Sequence, residues 1–486
     1  MMNRRDFLLT SASSAALAGL LPRVTLAQMA LPPGSVRWGA GIEPLVKLIE
    51  ETPREKLIEE IAARVKKGLA YNETLAALFV AAVRNVQPRP VGFKFHAVLA
   101  INAAHQASLS GPDADRWLPI FWSLDSFKAS QAEEKKKTGW TLPAIDESKL
   151  PPADKARKAF VDAIENWDVE GVDGPVTTLA RTAGAHEVFE LFFRYGMRDF
   201  RDIGHKAIYV AGAWRLLGVI GWQHAEPILR SLALALQYYT GDNPANKDLD
   251  PDRPWKFNKS IVGSLPPAWV EGKIDPAATA DLLTVCRTAD PEAMSKKAAD
   301  LLKSGVSAKS VWDALLPAGG EIVMRRTNIL SIHALTTFNA LRYIFETSGS
   351  DETRRLALLQ AAAFVPLFRG KLDKEVKLDQ VEPQSATLDE LFADVSKDKM
   401  SASRKVLGYL KDGGDGKSIV DEARRLIFLK GQDAHDWKFS SAVLEDYSHL
   451  SPGWRDRFLA ASVHYLKGSQ APDNGLLQRV RTALKG

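Results

Sequence analysis

Apolar residues recur along this chain at steps of three and four, the period of an α-helix buried on one face. In Leu57-Ile58-Ile61-Ala62-Val65 the steps are one, three and four, and Val176–Arg194, Ile208–Ile220 and Ile228–Tyr239 follow the same rhythm. Alternating β-branched runs are scarce, and no Asn-Gly or Asp-Gly sits between strand-like segments. The pattern predicts an all-α fold.

A longer period lies over the short one. Four segments begin at a histidine and continue alike: His96-Ala97-Val98-Leu99, His205-Lys206-Ala207-Ile208, His333-Ala334-Leu335-Thr336 and His435-Asp436-Trp437-Lys438. Each runs through a shared alanine (Ala103, Ala213, Ala340, Ala442) to a break at Gly111, Gly221, Gly349 or Ser451-Pro452. Upstream of each, a Lys- and Ala-rich helix is expected to end near Gly68, Gly171, Gly305 or Gly413, with a second helix starting near Asn72, Val176, Ser310 or Ser418. These features predict four quasi-repeats of about four helices, with units near 52–137, 153–240, 290–369 and 400–470. One unit cannot bury both faces of its helices, so stacking into a curved or closed α-solenoid or toroid is expected. The segments 138–152, 240–275 and 370–388 read as surface loops, or loops over a cleft.

Composition adds a compartment. Asn3-Arg4-Arg5-Asp6-Phe7-Leu8-Leu9, a mild apolar stretch to Leu21 and Thr25-Leu26-Ala27 resemble a bacterial twin-arginine signal peptide over residues 1–27. The expected mature chain, 28–486, is one periplasmic all-α repeat domain handed over by the twin-arginine translocase. With 64 Lys+Arg against 59 Asp+Glu the net charge is only +5, which does not point to nucleic acid. No later stretch reaches the ~18 apolar residues of a membrane span. The lone Cys286 can form no internal disulfide and reads as a core residue.

The recurring histidine is the candidate chemistry. If the array closes, His96, His205, His333 and His435 face one centre, where imidazoles from different helices suit Fe, Cu or Zn. His105, Arg215, Arg342 and Glu445 follow nine or ten residues further on and predict a polar ring about two and a half turns deeper. Asn102 and Asn339, six residues after their histidines, are polar on apolar helices. The candidate catalytic set is His333, His435 and Arg342; His105, Asn102, Arg215 and Asn339 are candidates for binding a small-molecule substrate. A competing reading makes each histidine a structural residue tied to nearby main chain in an open solenoid that binds a ligand without catalysis. Other motifs fail on inspection. His186-Glu187 with Glu190 is half a metal site, and Gly413–Ser418 has Lys411 where a phosphate loop needs glycine. No Gly-x-Gly-x-x-Gly lies between a strand and a helix, so no Rossmann nucleotide site is visible, and no Gly-x-Ser-x-Gly elbow occurs.

Ile332-His333-Ala334-Leu335-Thr336-Thr337-Phe338-Asn339-Ala340-Leu341-Arg342 resembles the His-Ala-x-Thr-x-x-x-Ala-x-Arg pattern of the questin oxidase-like proteins. Asp433-Ala434-His435-Asp436-Trp437-Lys438-Phe439, followed by Phe458–Ala461, is similar to that family's His-x-x-Lys segment, and His205–Arg215 matches more loosely. The resemblance implies an oxygen-inserting oxidoreductase; fungal members open an anthraquinone ring in a Baeyer–Villiger-type oxidation, with reduced nicotinamide implicated. Only His333 and His435 fall inside the matching motifs. The export signal departs from the family, because the periplasm has no ready supply of nicotinamide.

Overall fold

The structure is a computed structural model and describes residues 41–485 apart from 112, 240 and 245; the twin-arginine segment lies outside the described residues. Helical periodicity becomes helix throughout. The first stretch holds α1 (Glu43–Glu51), α2 (Arg54–Lys66), α3 (Tyr71–Asn85), α4 (His96–Ser110) and α5 (Leu118–Lys137). The second holds α6 (Ala153–Glu165), α7 (Asp173–Thr182), α8 (Ala185–Gly196), α9 (His205–Ile220) and α10 (Ala225–Leu236). Next come α11 (Arg253–Ile261), α12 (Pro276–Cys286), α13 (Pro291–Lys303), α14 (Ala308–Arg325), α15 (Ile329–Thr347) and α16 (Asp351–Arg369). The last are α17 (Leu388–Val395), α18 (Lys399–Lys411), α19 (Gly416–Lys430), α20 (Ala434–Asp446), α21 (Pro452–Ser462) and α22 (Leu477–Lys485). Among the described residues there is no strand, only an isolated bridge between Lys273 and Val306. No described helix is long and apolar enough to cross a membrane.

The helices headed by the four histidines contact one another in a cycle: α4 on α9, α9 on α15, α15 on α20, and α20 back on α4. All four histidines stand at the same end, so these helices run in one direction around a common axis. Small residues allow the close approach. Ala103, Ala340 and Ala442 face the axis as expected, but in α9 the axial residue is Gly212 rather than Ala213. A Cβ on Gly212 would lie 3.5 Å from Asn102 Cβ.

Four outer helices end alike. After α2, α13 and α18 the chain turns through Gly68, Gly305 and Gly413, each with φ between +85° and +98°. In each, the glycine N–H and the following N–H bond back into the last turn, the Schellman arrangement. After α6 the equivalent residue is Trp167, at φ +56°, and not Gly171 as the sequence suggested. Asp168 N–H still reaches the Ala163 carbonyl at 2.8 Å, so the same motif forms around a residue that resists it.

Two other expectations change. Val176–Arg194 is two helices, because Ala183 is extended (φ −101°, ψ 159°) ahead of Gly184. Residues 240–275 are no loose surface loop: α11 lies within them, and Trp255 and Trp269 are buried. Two indoles provide enough apolar area to dock the segment. Cys286 is buried as expected, and burial pushes its thiol up to about 12.

Gly204 links this framework to the histidines. It sits at φ +83° just before His205, and a Cβ there would meet Thr337 Oγ1 at 2.1 Å. Gly204→Ala is expected to cost about 1–3 kcal/mol from the left-handed backbone and the clash together. Urea denaturation checks this, and a midpoint unchanged from wild type would contradict it.

Candidate metal centre

Each histidine is delivered by its own helix start. His96 and His205 are the first residues of α4 and α9. His333 is one turn into α15, whose start is fixed by a capping box between Asn328 and Ser331. His435 is the second residue of α20, capped by the Asp433 carboxylate. The rings follow one another round the axis with centroids 4.8 Å (His96–His205), 4.5 Å (His205–His333), 5.2 Å (His333–His435) and 4.6 Å (His435–His96) apart.

Three of the rings are anchored by main-chain carbonyls. Nδ1 lies 2.7 Å from Phe93 O in His96, 2.5 Å from Asp202 O in His205 and 2.6 Å from Ile329 O in His333. A carbonyl oxygen cannot donate, so each Nδ1 carries the ring's hydrogen. A neutral imidazole has only one, so every Nε2 is left as a lone pair. Yet His205 Nε2 is 2.9 Å from His96 Nε2 and also 2.9 Å from His333 Nε2. Protons could fill both contacts only if His96 and His333 were both imidazolium beside a third ring. The surroundings oppose that. Burial, then the charge of Lys438, holds His96 down at about 2; burial leads in pushing His205 and His333 well below the usual imidazole range. The fourth ring, His435, has a buried Nε2 with no hydrogen-bonding partner.

Lone pairs pointing at each other across 2.9 Å fit a cation between them. Metal–imidazole bonds of ~2.0–2.1 Å separate tetrahedral ligand atoms by roughly 3.3–3.4 Å and right-angled ones by roughly 2.9 Å. The observed 2.9 Å spacing brings the Nε2 atoms of His96, His205 and His333 close enough that they could hold one ion. One ligand atom each from His96, His333 and His435 lies within 4.8 Å of the others, a looser set than bonded ligands would make, and His205 is not in that group.

Below the ring lies an axial cavity of about 40 Å³, room for a water or two. Its walls repeat a spacing. Three residues after the histidines stand Leu99, Ile208, Thr336 and Lys438; six after stand Asn102, Ala211, Asn339 and Ser441; then come the small axial residues; at ten stand Gln106 and Arg215. Asn102, Asn339 and Arg215 thus face the axis as the sequence suggested. Asn339 Nδ2 donates to Glu445 Oε2 at 2.7 Å, and Arg215 Nη2 donates to the same oxygen at 2.9 Å. The Arg215 guanidinium also stacks 3.9 Å over the Tyr343 ring.

His105 and Arg342 do not join them. Both stand nine residues after their histidines, about 100° round the helix from position ten. His105 points outward and its Nδ1 pairs with Tyr71 Oη at 3.0 Å. Arg342 is buried beside α20, where Nε donates to Asp446 Oδ1 at 2.7 Å. Neither lines the cavity, although Arg342 Nη2 lies 3.8 Å from the Glu445 Oε2 that Arg215 and Asn339 share. Sequence reasoning missed Lys438, whose buried Nζ is 3.5 Å from His333 Nε2 and whose ammonium burial lowers to about 7. Its signal was its place three residues after His435, where the other units carry Leu, Ile and Thr. The His186–Glu190 pair is structural: Glu190 accepts from Ser348 Oγ at 2.8 Å and from Gly349 N–H at 2.6 Å.

A scan of family models finds none that matches the chain, and no curated protein and no solved structure matches it either.

Three histidines outside the ring set a pH dependence. Burial holds His105, His224 and His464 below the usual imidazole value, His464 at about 4. Their folded values lie below the unfolded one, so the unfolded chain binds more protons in acid. Their contribution is intact above pH ~6.5 and is lost as the pH falls from there toward 4. His464→Leu is expected to remove up to about 1.4 kcal/mol per pH unit of that acid sensitivity. Urea midpoints at neutral and mildly acidic pH, compared between wild type and variant, measure it.

Proposed function

We propose that this chain is an exported oxidoreductase whose four-histidine centre holds a transition metal, copper or iron before zinc, and inserts oxygen into an aromatic or apolar carbonyl compound. The observation that carries the reading is the pair of 2.9 Å Nε2–Nε2 contacts between rings whose only hydrogens are committed to carbonyls. The resemblance of the His333 and His435 segments to questin oxidase-like proteins supplies the reaction class, and the twin-arginine signal supplies the periplasm. A redox metal held by these imidazoles would supply dioxygen activation, and inserting one oxygen atom while reducing the other to water would draw two electrons from an external donor.

The surrounding residues have defined tasks in this reading. The carbonyls of Phe93, Asp202 and Ile329 orient the rings and fix their tautomers. Lys438 brings a donor to the inner side of the ring, positioned to hold an anionic oxygen. His96 and His435 are the partly exposed members, and Phe93, 78% exposed, stands at the rim beside them, so an apolar substrate approaches from that side. The axial cavity behind admits water and nothing larger.

The non-catalytic solenoid expects separated histidines, each tied to its own main chain; three of the rings are so tied. Adjacent rings at 4.5–5.2 Å with inward-facing Nε2 atoms argue against it.

Elemental analysis of protein purified from the periplasm tests the centre. About one ion per chain is expected, falling to roughly a tenth or less in His205→Ala and His333→Ala, while His105→Ala keeps it. Substoichiometric metal in the wild type after reconstitution, or full occupancy in His205→Ala, would overturn the reading.

A further inference from the structure

A second pocket, of about 420 Å³, opens between the end of α6, Arg198 and α11, and none of the ring histidines lines it. Its distinguishing residue is Arg198. Four arginines among the described residues are buried, and three of them have a carboxylate partner: Arg201 with Asp252, Arg230 with Asp173, and Arg342 with Asp446. Arg198, 7% exposed, makes no ion pair among the described residues, although Asp199, Glu165 and Asp252 are near enough to act on its charge. Nη1 donates to the Ile164 carbonyl at 3.0 Å, while Nε and Nη2 meet no acceptor. An unpaired buried guanidinium is costly, commonly by several kcal/mol, unless a counterion arrives.

The other walls say what kind of anion. Trp167 and Trp255 line the pocket, and the Arg198 guanidinium lies 4.1 Å from the Trp167 ring centre. Trp167 is the residue that occupies a left-handed helix cap where the three equivalent positions carry glycine. That substitution carries backbone strain, and what it gains is an indole at the pocket wall. The two acids of the lining are already engaged: Glu165 accepts from Tyr195 Oη at 2.9 Å, and Asp252 pairs with Arg201. Lys259 adds positive charge and makes no ion pair among the described residues, while Lys256 is already paired with Asp248 at 2.8 Å.

We propose that this pocket binds an aromatic carboxylate: the ring packs against Trp167 and Trp255, and the carboxylate is the counterion that Arg198 lacks. The volume lies within the range for a small aromatic ligand. The site is independent of the metal centre and survives if no metal is bound there.

Calorimetric titration of the full chain with benzoate, benzamide and acetate decides it. Benzoate is expected to bind saturably, with benzamide and acetate each about tenfold weaker or worse, since one lacks the charge and the other the ring. Arg198→Gln should weaken benzoate by about tenfold or more, and Trp255→Leu should weaken it in the same direction. Benzamide binding as well as benzoate, acetate matching benzoate, no saturable benzoate binding below about 10 mM, or an unchanged affinity in Arg198→Gln would each overturn the proposal. The benzamide and acetate comparisons use the wild-type chain, so the outcome stands even if Arg198→Gln does not fold.

Discussion

The bond from a histidine Nδ1–H to a main-chain carbonyl is the constraint from which the centre follows. It appears three times, at Phe93, Asp202 and Ile329, and each time it uses the one hydrogen a neutral imidazole owns. What remains is a set of lone pairs aimed at the axis. A hydrogen-bonded core would have paired those nitrogens with donors, because buried acceptors facing one another are repulsive. Lys438 Nζ, 3.5 Å from His333 Nε2, is one donor within reach of them, and a cation among the rings is the proposed partner of the rest.

The helices themselves push the other way. Four N-termini, each with a partial positive charge, meet at the ring, and Lys438 adds a full one nearby. A helix end is worth ~0.3–1 kcal/mol toward a charge at its terminus, up to ~2 in buried geometry. Metal binding by protein ligand sets is worth ~10–16 kcal/mol for structural zinc sites. The dipoles therefore cannot exclude a metal ion. They do keep the imidazoles unprotonated, which is the state a ligand needs, and they favour an anionic partner on an ion once it is bound.

The elements and the convergence of the histidines were legible because both are periodic: apolar steps of three and four give the helices, and a His-headed segment repeated four times gives the ring. What the sequence hid was phase. His105 and Arg342 differ from Gln106 and Tyr343 by one residue, and one residue on a helix is about 100°, enough to move a side chain from the axis to a neighbouring interface. The same slip put Ala213 where Gly212 belongs. Only contacts between helices fix that phase, and no single-sequence pattern contains them. Lys438 enters the sequence reading only as the lysine of the His-x-x-Lys segment, with no role; its significance lies in the 3.5 Å distance to His333.

Backbone strain marks the same two places. Among the described residues, four non-glycine residues have positive φ: Phe93, Asp202, Ile203 and Trp167. Phe93 and Asp202 present the carbonyls that orient His96 and His205, and Ile203 continues the turn into Gly204. Trp167 forms the wall against which Arg198 stacks. Left-handed backbone in residues with a Cβ persists only where surrounding packing enforces it. Random accumulation would scatter such residues over many turns between twenty-two helices. Their confinement to the histidine ring and the Arg198 pocket means that the strain coincides with the turns that orient imidazoles and with the placing of an indole, and glycine at Trp167 would release the strain but lose the indole.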